Sequence, residues 1–113
     1  MLRKKKKIER NDIRFNFKHG HLAHVKKVSG EYPNQQVTSV FLSSKDTDES
    51  IPNIKMNRSI KIGKKDNGYF IKRVRSYPSS TYSTKIYKKK LSKKDRRTSN
   101  NLYKRYLKNK KRD

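Results

Sequence analysis

From residue 22 onward, apolar side chains recur in short runs broken by turn-forming residues. In "HLAHVKKV", Ala23 and Val25 fall on one face of an extended chain and Leu22 and His24 on the other. That is the period-two signature of a strand. "SGEYPN" then brings Gly30, Pro33 and Asn34, which predict a loop. "QQVTSVFLSS" is rich in β-branched and aromatic residues, and its unbroken Val40-Phe41-Leu42 predicts a strand covered on both faces at its end. Past Ile51-Pro52, the residues Ile54, Met56, Ile60 and Ile62 share one parity, interrupted by Arg58. Asp66-Asn67-Gly68 predicts a tight turn, and "YFIKRVRSY" a further strand. Strands at this spacing predict a small β-barrel or sandwich.

The period changes near the end of the chain. Ser92, with Asp95 three residues on, has the form of a capping box in which Asp replaces the commoner Glu. Leu102, Tyr103, Tyr106 and Leu107 then form one apolar stripe. A helix is predicted over 93–108, docked by that stripe with Lys and Arg facing outward. At the other end, Arg3-Lys4-Lys5-Lys6-Lys7 places five like charges in a row, which favours an extended, mobile segment. The expected organisation is mainly β: a disordered basic N-terminal arm over 1–16, a small barrel core over 17–91, and a basic C-terminal helix and tail over 92–113.

Composition sharpens the picture. With 113 residues, 29% hydrophobic and 37% charged, the chain has material for one small core. Thirty-three Lys and Arg against nine Asp and Glu give a formal charge of +24. Self-repulsion at that density calls for a polyanionic partner. Nucleic acid fits best, because each phosphate neutralised releases condensed counterions. An anionic membrane surface would need an amphipathic helix with a bulky apolar face, so no membrane partner is expected. Cysteine is absent, which excludes disulfides and thiolate metal sites. "MLRKKKKIERND" has no apolar stretch behind its charged start, and no run approaches the ~20 apolar residues of a membrane span. The default location is cytoplasmic. Asp46, Asp48 and Glu49 in "KDTDES" lack the Gly and the closing Glu of a calcium loop and are expected to be a solvated acidic turn.

The three histidines, His19, His21 and His24, have a spacing that could suit zinc. On a strand, however, His24 faces away from the other two, and no cysteine or nearby carboxylate completes a ligand set. No metal or other cofactor is expected. A general-base role remains open, since phosphodiester cleavage needs a group that accepts a proton near neutral pH.

Aromatic and basic residues interleave in "YFIKRVRSYPSSTYSTKIYKKK". Stacking rings beside phosphate-holding cations is how single-strand binding surfaces work. The candidate nucleic-acid contacts are Lys4, Lys5, Lys6 and Lys7 in the arm; Lys26 and Lys27; Lys72, Arg73, Arg75, Tyr77 and Tyr82; Lys85, Lys88, Lys89 and Lys90; and Arg96 and Arg97. An equal case exists for half of the rings being core. Lysines outnumber arginines 23 to 10, which favours backbone contact over base reading.

Taken in order, "GHLAHV", "VTSVFLSS", "IPNIKM", "YFIKRVRSY" and "YKKKLSKKD" before a final helix resemble the small barrel toxins of the MazF/PemK type. Leu91-Ser92 matches that family's step into its last helix, and Ser43-Ser44 falls where its Thr-Ser pair ends a strand. The resemblance implies an SH3-like β-barrel with a C-terminal helix, a homodimer with RNA in the groove between barrels, and an acidic antitoxin-like protein partner. It also implies metal-independent cleavage of single-stranded RNA. Here His21 stands in the place of the family's arginine and Leu22 in that of its proline. The resemblance therefore implies either His21 as base with Ser43 as hydrogen-bonding partner, or a site that kept binding and lost cleavage. The leading expectation is a nucleic-acid-binding protein, with RNA favoured over DNA. An endoribonuclease toxin of a toxin–antitoxin pair and a structural ribonucleoprotein component are the alternatives.

Overall fold

The computed structural model describes residues 7–48 and 51–111. Ile13–Asn16 (β1) pairs antiparallel with His21–Ser29 (β2), and β2 with Gln36–Ser43 (β3). Thr47–Asp48 (β4) and Ile51–Pro52 (β5) form a separate short ribbon leading into Ile54–Ile62 (β6), which pairs with Lys65–Phe70 (β7). The first half of β3 pairs with Arg75–Pro78 (β8), and its end with β7. A single 3-10 turn at Ser79–Thr81 then carries the chain back to β1.

That return closes the sheet. Phe17 N donates to Thr81 O (2.8 Å), Ser83 N to Phe15 O (2.8 Å) and Tyr87 N to Ile13 O (2.9 Å). With β1 joined on both edges, the strands form the small SH3-like barrel, and Lys93–Lys111 (α1) packs against it. Among the described residues no helix is long and apolar enough to cross a membrane.

β3 is buried from Val37 to Ser43 because it feeds two cores. Val40 and Leu42 join Ile13, Leu22, Phe70 and Leu102 on the face covered by α1. Val37 and Phe41 join Ala23, Val25, Ile71 and Tyr82 on the other. The "VFL" run is thus apolar throughout because neither face sees water.

α1 begins as its sequence predicts, with a twist in how the cap is used. Ser92 Oγ accepts the Asp95 N–H at 3.2 Å. The Asp95 carboxylate turns outward to β6 instead, accepting the backbone N–H groups of Asn57 (2.7 Å) and Arg58 (2.9 Å). Residues 56–59 lie where the β6–β7 register shifts, so these N–H groups have no ladder partners. One buried carboxylate, 2% exposed, satisfies both.

Three expectations about the fold need correction. The segment expected to be a flexible arm over 1–16 is in part a strand, because Ile13–Asn16 is paired, with Ile13, Arg14 and Asn16 buried. Arg14 is held by Asp12 (Nε–Oδ2 3.1 Å) and by the Ser83 carbonyl (2.9 Å). Lys4, Lys5 and Lys6 lie outside the described residues. The tight turn falls earlier than Asp66-Asn67-Gly68: Gly63, at φ +60°, turns the chain, and Asn67 is a buried strand residue whose Nδ2 donates to Ile60 O. Glycine accepts that φ without strain. Finally, "YFIKRVRSY" is not one strand. Ile71 and Val74 anchor in opposite cores, and the chain between them is irregular.

Candidate nucleic-acid interface

The structure sorts the cations into groups. The first surrounds a cavity of about 260 Å³ between the β7–β8 connection and the β1–β2 turn. Lys72, Arg73 and Arg75 supply three charges, and His19, Asn53, Ile51 and Ile71 complete the wall. Lys72 and Arg73 face solvent because their neighbours Ile71 and Val74 are drawn inward. His19 is positioned by Asn16, whose buried Oδ1 accepts the His19 N–H (2.7 Å) while its Nδ2 donates to Thr81 Oγ1 (2.9 Å). Held this way, the His19 ring stacks on Phe41, with centroids 4.1 Å apart and planes 12° from parallel. Tyr77 meets both rings edge-on. Asn53 is fixed as well: its N–H donates to Asp46 O (2.8 Å) and its Nδ2 to Lys45 O (3.0 Å). Its buried Oδ1 has no hydrogen-bond donor among the described residues, a state that costs about 1–3 kcal/mol.

The second group lies at the start of α1. Two adjoining cavities, about 370 and 330 Å³, share Asn11, His24 and Arg96. Around them stand Arg10, Lys89, Lys90, Lys93 and Arg97. His24 forms the floor, 3% exposed, with Nδ1 and Ser99 Oγ 2.7 Å apart. Burial, followed by the charges of Lys26, Arg10 and Arg96, lowers its pKa to about 3. The ring is therefore neutral at physiological pH beneath a cationic rim.

Two predicted contacts move inside. A β-bulge at Lys26 keeps Val28 on the same side as Val25 and turns Lys26 under α1, where its Nζ donates to Asn100 Oδ1. Lys26 is 2% exposed, and burial together with Arg10 lowers its pKa to about 8. Tyr82 is core: its hydroxyl bonds Ser39 Oγ (2.8 Å) and donates to Val37 O (3.1 Å), and burial raises its pKa to about 12. Neither faces an external phosphate. Lys7, Lys27, Lys72, Arg73, Lys85, Lys88, Lys89, Lys90, Arg96 and Arg97 are exposed, and Arg75 and Tyr77 are half-buried.

Extending the β2–β3 register places His21 across from Ser43, at the mouth of the barrel. Their side chains share no hydrogen bond. Ser43 is buried, and its Oγ accepts the Lys45 N–H at 3.1 Å. His21 Nδ1 lies 2.9 Å from His19 Nδ1.

Sequence reasoning missed Arg10, Lys93, Asn53 and Phe17, and it weighed His19 as a metal ligand or base rather than as a wall of a cationic cavity. The Phe17 ring is 67% exposed at the β1–β2 turn, whereas Tyr82 is buried. Phe17 could have been found, since an aromatic beside Lys18 and Gly20 has no core to enter at a hairpin tip. Nothing local in the sequence marks Asn53. Compared with known protein families, curated proteins and solved structures, the chain matches none.

Proposed function

We propose that the protein binds RNA, holding the phosphates of single-stranded segments on its two cationic clusters. One observation carries this reading: among the described residues, the only ion pair is Asp12–Arg14 (3.1 Å). The exposed lysines and arginines thus pair with no carboxylate among the described residues, and a polyanion supplies what is lacking. The exposed Phe17 ring favours unpaired bases, which offer a free face for stacking. Filter binding of a labelled single-stranded RNA against the same sequence as a duplex tests this. Tighter retention of the single strand is expected, and equal retention contradicts it.

A second reading is a MazF/PemK-like endoribonuclease. The facing positions of His21 and Ser43 at a barrel mouth favour it. Cleavage needs Ser43 to leave its bond to Lys45 N, or His21 to work with His19. RNA fragments that form in EDTA and vanish in His21→Ala would establish this reading.

A further inference from the structure

The cavity beside His19 differs from the rest of the basic surface. Phosphate binding explains Lys72, Arg73 and Arg75, but it does not explain Asn53, whose buried Oδ1 can only accept a hydrogen bond. Nor does it explain two isoleucines in the wall. A phosphate oxygen has no proton to offer Asn53 and gains nothing from Ile51 or Ile71. What fits cations, apolar side chains, an imidazole and an acceptor together is a nucleotide: charged at one end, flat and apolar in its face, and carrying N–H donors on its base.

We infer that this cavity takes one unpaired nucleotide, with its phosphate on Lys72, Arg73 and Arg75 and an N–H of its base donated to Asn53 Oδ1. The base lies against His19 and the isoleucines, extending the stack that His19 already makes with Phe41. Asn53 is suited to the role because its N–H and Nδ2 already donate to Asp46 and Lys45, which leaves Oδ1 as the group still to be satisfied. Oδ1 is shielded from solvent, so engaging it takes a side-chain adjustment. The cluster beside α1 then serves as the backbone site, and the His19 cavity adds contact with a base. This inference rests on the RNA-binding reading.

The test is fluorescence anisotropy with two labelled eight-residue strands, oligo(U) and its abasic counterpart, titrated with the full chain. Wild type is expected to prefer oligo(U) by about tenfold or more, the worth of one stacked and hydrogen-bonded base in the cavity before stacking on Phe17 is added. Asn53→Leu is expected to cut that preference about fivefold. In unaltered protein, NMR signals of the Asn53 amide and the His19 ring are expected to shift with oligo(U) and hold still with the abasic strand. Equal affinity for both strands, an unchanged preference in Asn53→Leu, or stationary Asn53 and His19 signals overturns the cavity assignment while RNA binding stands. If neither strand binds at low salt, the RNA-binding reading fails and the cavity assignment falls with it.

Discussion

His24 Nδ1 lies 2.7 Å from Ser99 Oγ, which ties the middle of β2 to the second turn of α1 beneath a ring of cations. Neutral imidazole can make this bond without adding charge where Arg10, Lys26 and Arg96 already crowd together. The pair therefore holds the helix in place at the cost of sensitivity to acid. The folded pKa is about 3 against 6.5 for the free side chain. Stability from this source is complete above pH 6.5 and drains away as pH falls toward 3, because the unfolded chain takes up the proton first. Between pH 7.5 and 5, above the range where carboxylates titrate, about 2 kcal/mol should be lost. Urea midpoints measured across that interval check this. His24→Leu should flatten the profile, and a flat wild-type profile would show that the ring is not buried as described.

Asp95 serves two elements at once. Its carboxylate accepts the backbone N–H groups of Asn57 and Arg58, and its own N–H caps α1 on Ser92. Asp95→Ala leaves two donors at the β6 irregularity unsatisfied and should cost about 3 kcal/mol or more, since hydrogen bonds to charged groups are worth about 1.5–3 each. Ser92→Ala, which removes a cap alone, should cost about 1 kcal/mol. Equal losses in the two variants, read by chemical denaturation, would mean that the contact to β6 contributes nothing.

The cations divide into those on the surface and two that are buried, Arg14 and Lys26. Replacing Lys89, Lys90 and Arg96 together with Gln should lower the salt slope of single-stranded RNA binding by about 0.7 for each phosphate no longer held. Lys26→Gln should leave it unchanged, because Lys26 is covered by α1 and bonded to Asn100. A matching drop in Lys26→Gln would place Lys26 on the binding face after all.

Phe17 offers a different kind of contact. Its ring packs edge-on against Phe15 at 5.3 Å, and most of its surface faces water. Phe17→Ala should weaken single-stranded RNA binding by about 1–3 kcal/mol and hardly touch duplex RNA, whose bases are already stacked. Parallel titrations with both substrates decide it, and equal weakening would point to loss of fold.

The strands and the helix were legible because their signals are local. Parity marked Leu22 and His24 against Ala23 and Val25, and Val40-Phe41-Leu42 announced a strand with two dry faces. Ser92 and Asp95 marked where α1 starts. What the sequence hid depends on partners distant along the chain. Lys26 reads as surface charge until a bulge turns it under a helix more than seventy residues later. Tyr82 reads as a stacking ring until its hydroxyl finds Ser39. Asn53 reads as loop filler, and only the bonds at Lys45 and Asp46 reveal an acceptor held without a donor. The two cationic groups could not be separated in the sequence, because Arg10 reaches the α1 cluster only through the fold.

If the exposed lysines and arginines hold nucleic-acid phosphates, binding must weaken steeply with salt. The most direct measurement is the affinity for a single-stranded RNA as sodium chloride rises from 50 to about 300 mM. With about six phosphates engaged, log K should fall linearly with log salt at a slope near −4. No binding at 50 mM salt, or an affinity indifferent to salt, would contradict the account.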